Sequence, residues 1–339
     1  MSQWSEARLA ATTVGVPVEE TDPAAVGAEV AAGAGGVILF GSSAPQDLAS
    51  QIAQLADSVP GRIGLLVMTD EEGGEIQRMS NLVGDLPWPA YMGANWSTSY
   101  ITSQLAAVGK KMAAAGVNMD LAPVVDVDGT AVVPDAADPD GYRSFSGTTS
   151  VVAADGVAFM QGLEQGGVTP VLKHFPGLGG ASGNTDDGPA HTLPWSTLQQ
   201  DAIPPYAQAI AAGAPAVMVS NATVPGLSPV LPASLSSVVI ETELVGALHF
   251  HGLVITDSLS AGAISGAGFS VSAAAAKAVE AGADMIIYGL SSTDQQTEQQ
   301  FQDIVTAEVA AVASGALPRG RLLEAATAVL AARHANVCR

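Results

Sequence analysis

The chain holds one cysteine, Cys338, beside its C-terminus. An internal disulfide is therefore excluded, and so is a metal–thiolate site. Basic residues are scarce: twelve Lys and Arg stand against thirty-three Asp and Glu, a formal net charge of −21. Nucleic acid and anionic membranes repel such a surface, so neither is an expected partner. No apolar run reaches the length of a membrane span, because Gly, Pro or a charge interrupts each candidate. The Gly-x-Gly-x-x-Gly of a dinucleotide-binding unit is missing after the first apolar run. Internal repeats and low-complexity tails are absent too. The opening residues, MSQWSEARLAATTVGVPV, lack the basic-then-apolar pattern of a secretion signal. A secreted or cell-envelope protein with its leader removed is the preferred expectation, and a cytoplasmic one the alternative.

What is present is apolar bulk. Hydrophobic residues make up 48% of 339, enough for a large core. Short apolar or β-branched runs recur at 11–16, 36–40, 64–70, 117–124, 168–174, 216–221, 253–257 and 285–289. Between several of them lie Ala-, Gln- and Val-rich stretches of helical character at 22–33, 97–115, 150–165, 196–212 and 271–282, with 296–313 and 319–335 after the last. Eight strand–helix units predict an α/β fold, a (β/α)8 TIM-type barrel of parallel strands. Near-continuous apolar strands suit a sheet buried on both faces. A doubly wound open sheet is the structural alternative.

The polar residues gather at strand ends. The stretch 168–194, VTPVLKHFPGLGGASGNTDDGPAHTLP, runs from an apolar strand through Lys173 and His174 into a loop with five glycines. Only four lysines and five histidines exist in the chain, so an adjacent pair at a strand end is informative. Asp70, Asp120, Asn221 and Asp257 occupy matching places on other strands, and a closed parallel barrel brings such ends to one face. Each alone reads equally well as a helix cap or turn residue. Asp257, after LVIT and before a Ser-Leu-Ser turn, can serve as nucleophile or general base. Asp70 can accept hydrogen bonds from a polyol. Arg78 is either a fixed cationic fork or a surface partner of Glu72 or Glu75. Arg143 ends a long Pro/Asp/Gly-rich loop over 126–148, a place suited to clamping a ligand. Lys173 and His174 supply donors to hydroxyl or carbonyl oxygens.

In order, DEEGGEIQR, NMDLAPVVDVD, GYRSFS, KHFPGLG, MVSN and VITDSLSAGAI resemble glycoside hydrolase family 3, and most closely its single-domain β-N-acetylglucosaminidases. The resemblance covers roughly residues 30–290. It implies one barrel domain over 1–339 and a retaining, two-step exo-β-glycosidase, acting on terminal N-acetylglucosamine of cell-wall or chitin-type fragments. Asp257 matches the family's nucleophile. Asp70, Arg78, Arg143, Lys173 and His174 match positions that hold the sugar. No cofactor is implied, since carboxylates alone run this chemistry, and a monomer is expected.

The chain departs from that branch in its acid/base. Where the branch carries Asp-Ser-His on the loop after Lys-His, this chain has Asn184-Thr185-Asp186, and Gly177-Leu178-Gly179 replaces Gly-His-Gly. Asp186 and the nearby His191 are the two candidate proton donors. An ordinary Asp, with a pKa near ~3.9 against ~6.5 for His, donates at neutrality only if its surroundings raise it. An acid-shifted pH optimum follows if Asp186 is the donor. The alternatives are a barrel that binds carbohydrate without turnover, a β-glucosidase-type specificity and a Schiff-base aldolase using Lys173. A metal-dependent hydrolase is weaker, because His174, His191, His249, His251 and His334 show no ligand spacing. His249 and His251 are expected on the surface at the barrel's far end.

Overall fold

The computed structural model describes residue 1 and residues 3–333. Cys338 and His334 lie outside the described residues. Eight parallel strand positions follow in chain order: β1 (Val14–Glu19), β2 (Gly36–Phe40), β3 (Leu66–Thr69), β4 (Met119–Asp120), β5 (Thr169–Pro170 and Leu172–Phe175), β6 (Ala216–Val219), β7 (Leu253–Thr256) and β8 (Ile286–Ile287). One sheet runs β8-β1-β2-β3-β4 and takes the first half of β5, while the second half of β5 starts the sheet β5-β6-β7. A parallel bridge between Ile255 and Met285 closes β7 onto β8. The expected (β/α)8 barrel is thus formed.

Both faces of the strands are buried, for two reasons. One alternating set packs inside the barrel: Ile38, Met68, Leu121, Val171, Met218 and Ile255 among others. The other set, including Val37, Leu39 and Val67, meets the helical shell. Four methionines, Met68, Met119, Met218 and Met285, fill the interior, where a flexible thioether fits irregular space. β1 makes room for them with Gly15, at which a Cβ would come within 3.0 Å of Met68 and of Ile287. At the far end Arg333 donates to the carbonyls of Ala34, Gly35 and Gly64, tying the last helix beneath β2 and β3.

The helices Thr98–Ala114, Thr149–Gly166, Val271–Ala281, Asp294–Ser314 and Arg319–Ala332 fall close to their expected stretches. The first expected strand, 11–16, begins too early, because Glu6–Thr12 is a helix capped by Ser5 and only Val14 onward pairs. The stretch 196–212 divides into Trp195–Asp201 and Ile203–Ala211, since Pro204 and Pro205 open a new first turn at the break. The stretch 22–33 is a 3-10 turn leading into Gly27–Ala32, ended by Gly33 in the left-handed region at φ 110°. Asp22 makes no side-chain cap there. Among the described residues no helix is long and apolar enough to cross a membrane. His249 and His251 are exposed just before β7, at the end away from the strand tips.

Candidate active site

At the C-terminal ends of the strands lies a cavity of about 510 Å³. Asp70, Arg78, Arg143, Lys173, His174, Asp186 and Asp257 all line it, with Glu72 among them. Asp70 follows β3, Lys173 and His174 belong to β5, and Asp257 follows β7. Seven of the ten residues singled out from sequence are therefore brought together.

The floor is an ion network centred on Glu72. Lys173 Nζ lies 2.7 Å from Asp70 Oδ1 and 2.6 Å from Glu72 Oε1. Arg143 makes a two-pronged contact with the same carboxylate, Nε to Oε2 at 2.8 Å and Nη2 to Oε1 at 2.9 Å. Burial alone raises the Glu72 carboxyl, but Arg143 and then Lys173 outweigh it and hold the group far below the ordinary range. Burial likewise works against the charge on Lys173, and Asp70 and Glu72 overcome it, so the ammonium stays protonated. Glu72 is therefore no surface partner of Arg78. Arg78 sits with its guanidinium carbon 6.0 Å from the centre of the Phe40 ring, its buried Nε without a hydrogen-bond partner among the described residues.

His174 has its own support. Asp126 Oδ2 lies 2.8 Å from His174 Nδ1, and Asp126 also accepts from the backbone N–H of His174 and of Leu178. One fully buried carboxylate thus orients both the imidazole and the first turn of the glycine loop. Neither Asp126 nor Glu72 was singled out from sequence. Asp126 had a signal, an acid between Val125 and Val127 in an otherwise apolar stretch, which demands a buried partner. Asp140 lies close by, its carboxyl raised well above the ordinary value by burial and then by Asp126. Among the described residues, Asp126, Asp140 and His174 are the grouping whose ligand atoms lie within 4.8 Å of one another. Asp126 already accepts three bonds, so the arrangement is a hydrogen-bonded support for the imidazole.

Three sequence candidates stand outside the cavity wall. Asp120 is fully buried beneath it, accepting from the Glu71 backbone N–H at 2.9 Å. Asn221 is buried too, donating to the Ser258 carbonyl at 2.7 Å and so steadying the residue after Asp257. His191 is exposed, and its segment is pinned by a parallel bridge to Thr223 and a bond from its backbone N–H to Ser182 Oγ. That pinning keeps the imidazole away from the cavity lining.

The two remaining carboxylates, Asp186 and Asp257, line the same cavity. Asp257 Oδ1 accepts from the Ser258 backbone N–H at 2.7 Å, which sets its rotamer. The loop bearing Asp186 is clipped onto the short helix after Asp257: Gly262 N–H donates to the Asp186 carbonyl and Ala263 N–H to that of Thr185, both at 2.9 Å. The two acids thereby share one mounting. The Asp186 carboxyl is raised above its ordinary value, first by desolvation and then by the charge of Asp257. Its outer face is open to solvent, which tempers the desolvation without removing it.

A barrel mouth lined by a Lys–Arg–carboxylate network and two further carboxylates, one of them raised, is of the kind found in hydrolases that work through paired acids. The family model "Glycosyl hydrolase family 3 N terminal domain" matches residues 20–332, and the chain belongs to that family. It is 37% identical over 262 residues to the "Beta-hexosaminidase LpqI" of Mycobacterium tuberculosis, covering 75% of this chain and 66% of that protein. The solved structure titled "M tuberculosis LpqI" superposes with a TM-score of 0.87 at 30% identity, covering 100% of this chain and 96% of that one. The β-N-acetylhexosaminidase from Beutenbergia cavernae gives 0.85 at 30% identity, covering 98% and 100%.

Proposed function

We propose that the chain is a retaining exo-β-N-acetylhexosaminidase that removes terminal N-acetylglucosamine from cell-wall or chitin-type fragments. The names carried by its relatives support the sugar. The observation that carries the reading is the clipping of the Asp186 loop onto the helix behind Asp257, which holds two carboxylates over one cavity.

In this reading Lys173, Asp70, Arg143 and His174 grip the hydroxyls of the terminal ring. An Asp257 oxygen attacks the anomeric carbon as the bond to the leaving oxygen breaks, and Asp186 gives that oxygen its proton. A covalent glycosyl–Asp257 ester remains. Asp186, now a carboxylate, takes a proton from water, whose oxygen displaces Asp257 and restores both groups. The raised Asp186 supplies the proton that a histidine supplies in the family's N-acetylglucosaminidase branch. No step needs a group beyond these side chains.

The test is initial rates on aryl β-N-acetylglucosaminide and aryl β-glucoside across pH. A clear preference for the acetamido sugar, with an optimum on the acid side of neutrality, is the expected result. Equal or greater rates on the glucoside assign a β-glucosidase specificity instead, and no turnover of either substrate removes the proposal.

A further inference from the structure

The helix after β8 opens unlike any other in the shell. Within 294–303, DQQTEQQFQD, five of ten residues are glutamine. Gln296, Gln299, Gln300 and Asp303 recur at the spacing that places them on one face of the helix Asp294–Ser314. Gln296, Gln299 and Asp303 are exposed on that face and Gln300 is half-buried. With Leu290, Ser291 and Ser292 from the preceding loop it lines a shallow, open cleft of about 400 Å³.

The cleft adjoins the active-site cavity through the chain itself: Gly289 lines the cavity, and Leu290, the next residue, lines the cleft. The chain is held where it leaves β8. Gly289 N–H donates to Ser260 Oγ at 3.0 Å on the cavity rim, and Tyr288 Oη donates to the Thr297 carbonyl at 3.2 Å in the helix. Thr293 caps the helix, accepting from the Gln296 N–H. A cleft built on fixed elements binds without first spending ligand affinity on ordering them.

The chemistry of the lining is specific. In a chain of net charge −21 the cleft contains a single acid, Asp303, and Gln299 Nε2 donates to it at 2.9 Å. What remains is side-chain amides and hydroxyls, each both donor and acceptor, beside one apolar residue, Leu290, that is 38% exposed. That is the complement of a neutral sugar, which presents hydroxyl and amide groups at its edge and an apolar face.

We propose that this cleft is the subsite for the part of the substrate beyond the scissile bond, a neutral saccharide bearing hydroxyl and amide groups. The inference rests on the glycosidase reading of the cavity. Gln296 and Gln300 are specificity-determining residues that touch no reacting atom.

The experiment compares the wild type with the double variant Gln296→Ala, Gln300→Ala. The substrates are an aryl β-N-acetylglucosaminide and N-acetylglucosamine oligomers of two, three and four rings. In the wild type, kcat/KM is expected to rise with oligomer length. In the variant the longest oligomer loses roughly 5- to 20-fold, mostly through KM, as two hydrogen bonds are removed, while the aryl glycoside stays within about twofold. A wild type indifferent to length, or a variant whose length dependence is unchanged, overturns the subsite while leaving the glycosidase intact. A wild type that turns over no substrate overturns the glycosidase reading and the subsite with it.

Discussion

Glu72 binds two cations at once, and that makes it the residue on which the clamp depends. Taking its charge away leaves Lys173 paired with Asp70 and strips Arg143 of its salt-bridge partner. Glu72→Gln is expected to destabilise the fold by about 3–5 kcal/mol, the cost of breaking a buried ion network, seen as a lower denaturant midpoint, and to raise KM. An unchanged midpoint would show that the network is not needed. Asp186 makes a different prediction, about pH. Its carboxyl is raised, so the donor form survives to a higher pH than an ordinary aspartic acid and is lost as pH climbs. In Asp186→Asn the alkaline limb of kcat/KM should vanish. The rate on a poor leaving group should fall roughly 10²–10⁴-fold, the usual worth of a general acid, and activated aryl substrates should suffer much less. A profile unaltered by the substitution would remove Asp186 from the mechanism.

Among the elements, the glycine loop after β5 is where local backbone and function meet. Gly177 sits at φ 130°, in the region that favours glycine, and Gly179 lies against the backbone of Val127, where a Cβ would meet the carbonyl oxygen at 2.0 Å. Gly179→Ala is expected to push the loop off the segment that holds Asp126 and to cost about 1–3 kcal/mol of stability. Activity should fall while the far-ultraviolet circular dichroism keeps its barrel signature. Retention of full activity would show that this close approach has no bearing on Asp186.

The loop was legible in the sequence because glycine density and a Lys-His pair are strong signals at a strand end. β2 was read to its exact ends, since GVILF is continuous apolar chain bounded by glycines. β1 was not, because Ala11 and Thr12 close a helix that Ser5 caps, and ATTV is equally compatible with either state. Glu72 is not legible in the sequence for a related reason. In DEEGGE the acids look interchangeable, and only the fold turns one of them under Arg143 and Lys173. His191 is near Asp186 along the chain, but with its backbone bridged to Thr223 it does not line the cavity.

For the molecule as a whole, the barrel itself was readable from eight apolar runs, because a parallel sheet buried on two faces leaves no room for polar alternation. The same burial sets a pH dependence of stability. Glu308, fully buried in the helix Asp294–Ser314 with Thr13 donating to it, is raised to about 8. The folded chain keeps a proton there that the unfolded chain releases near the ordinary value of 4.5. Its stabilising contribution is therefore complete below about pH 4.5 and is lost as pH rises through about 8. Glu308→Gln should make the denaturant midpoint less sensitive to pH between those limits, with the variant gaining on the wild type as pH rises. Parallel curves for the two proteins would contradict this.

Asp257 carries the covalent step. Incubation with a 2-fluoro glycoside carrying an activated leaving group, followed by peptide mass spectrometry, reads the covalent step itself. One sugar on the peptide that contains VITDSLSAGAI, localised to Asp257 and missing in Asp257→Asn, is the predicted result. A label on Asp186 or Asp70, or rapid turnover of the glycoside by an enzyme that Asp257→Asn leaves active, would contradict it.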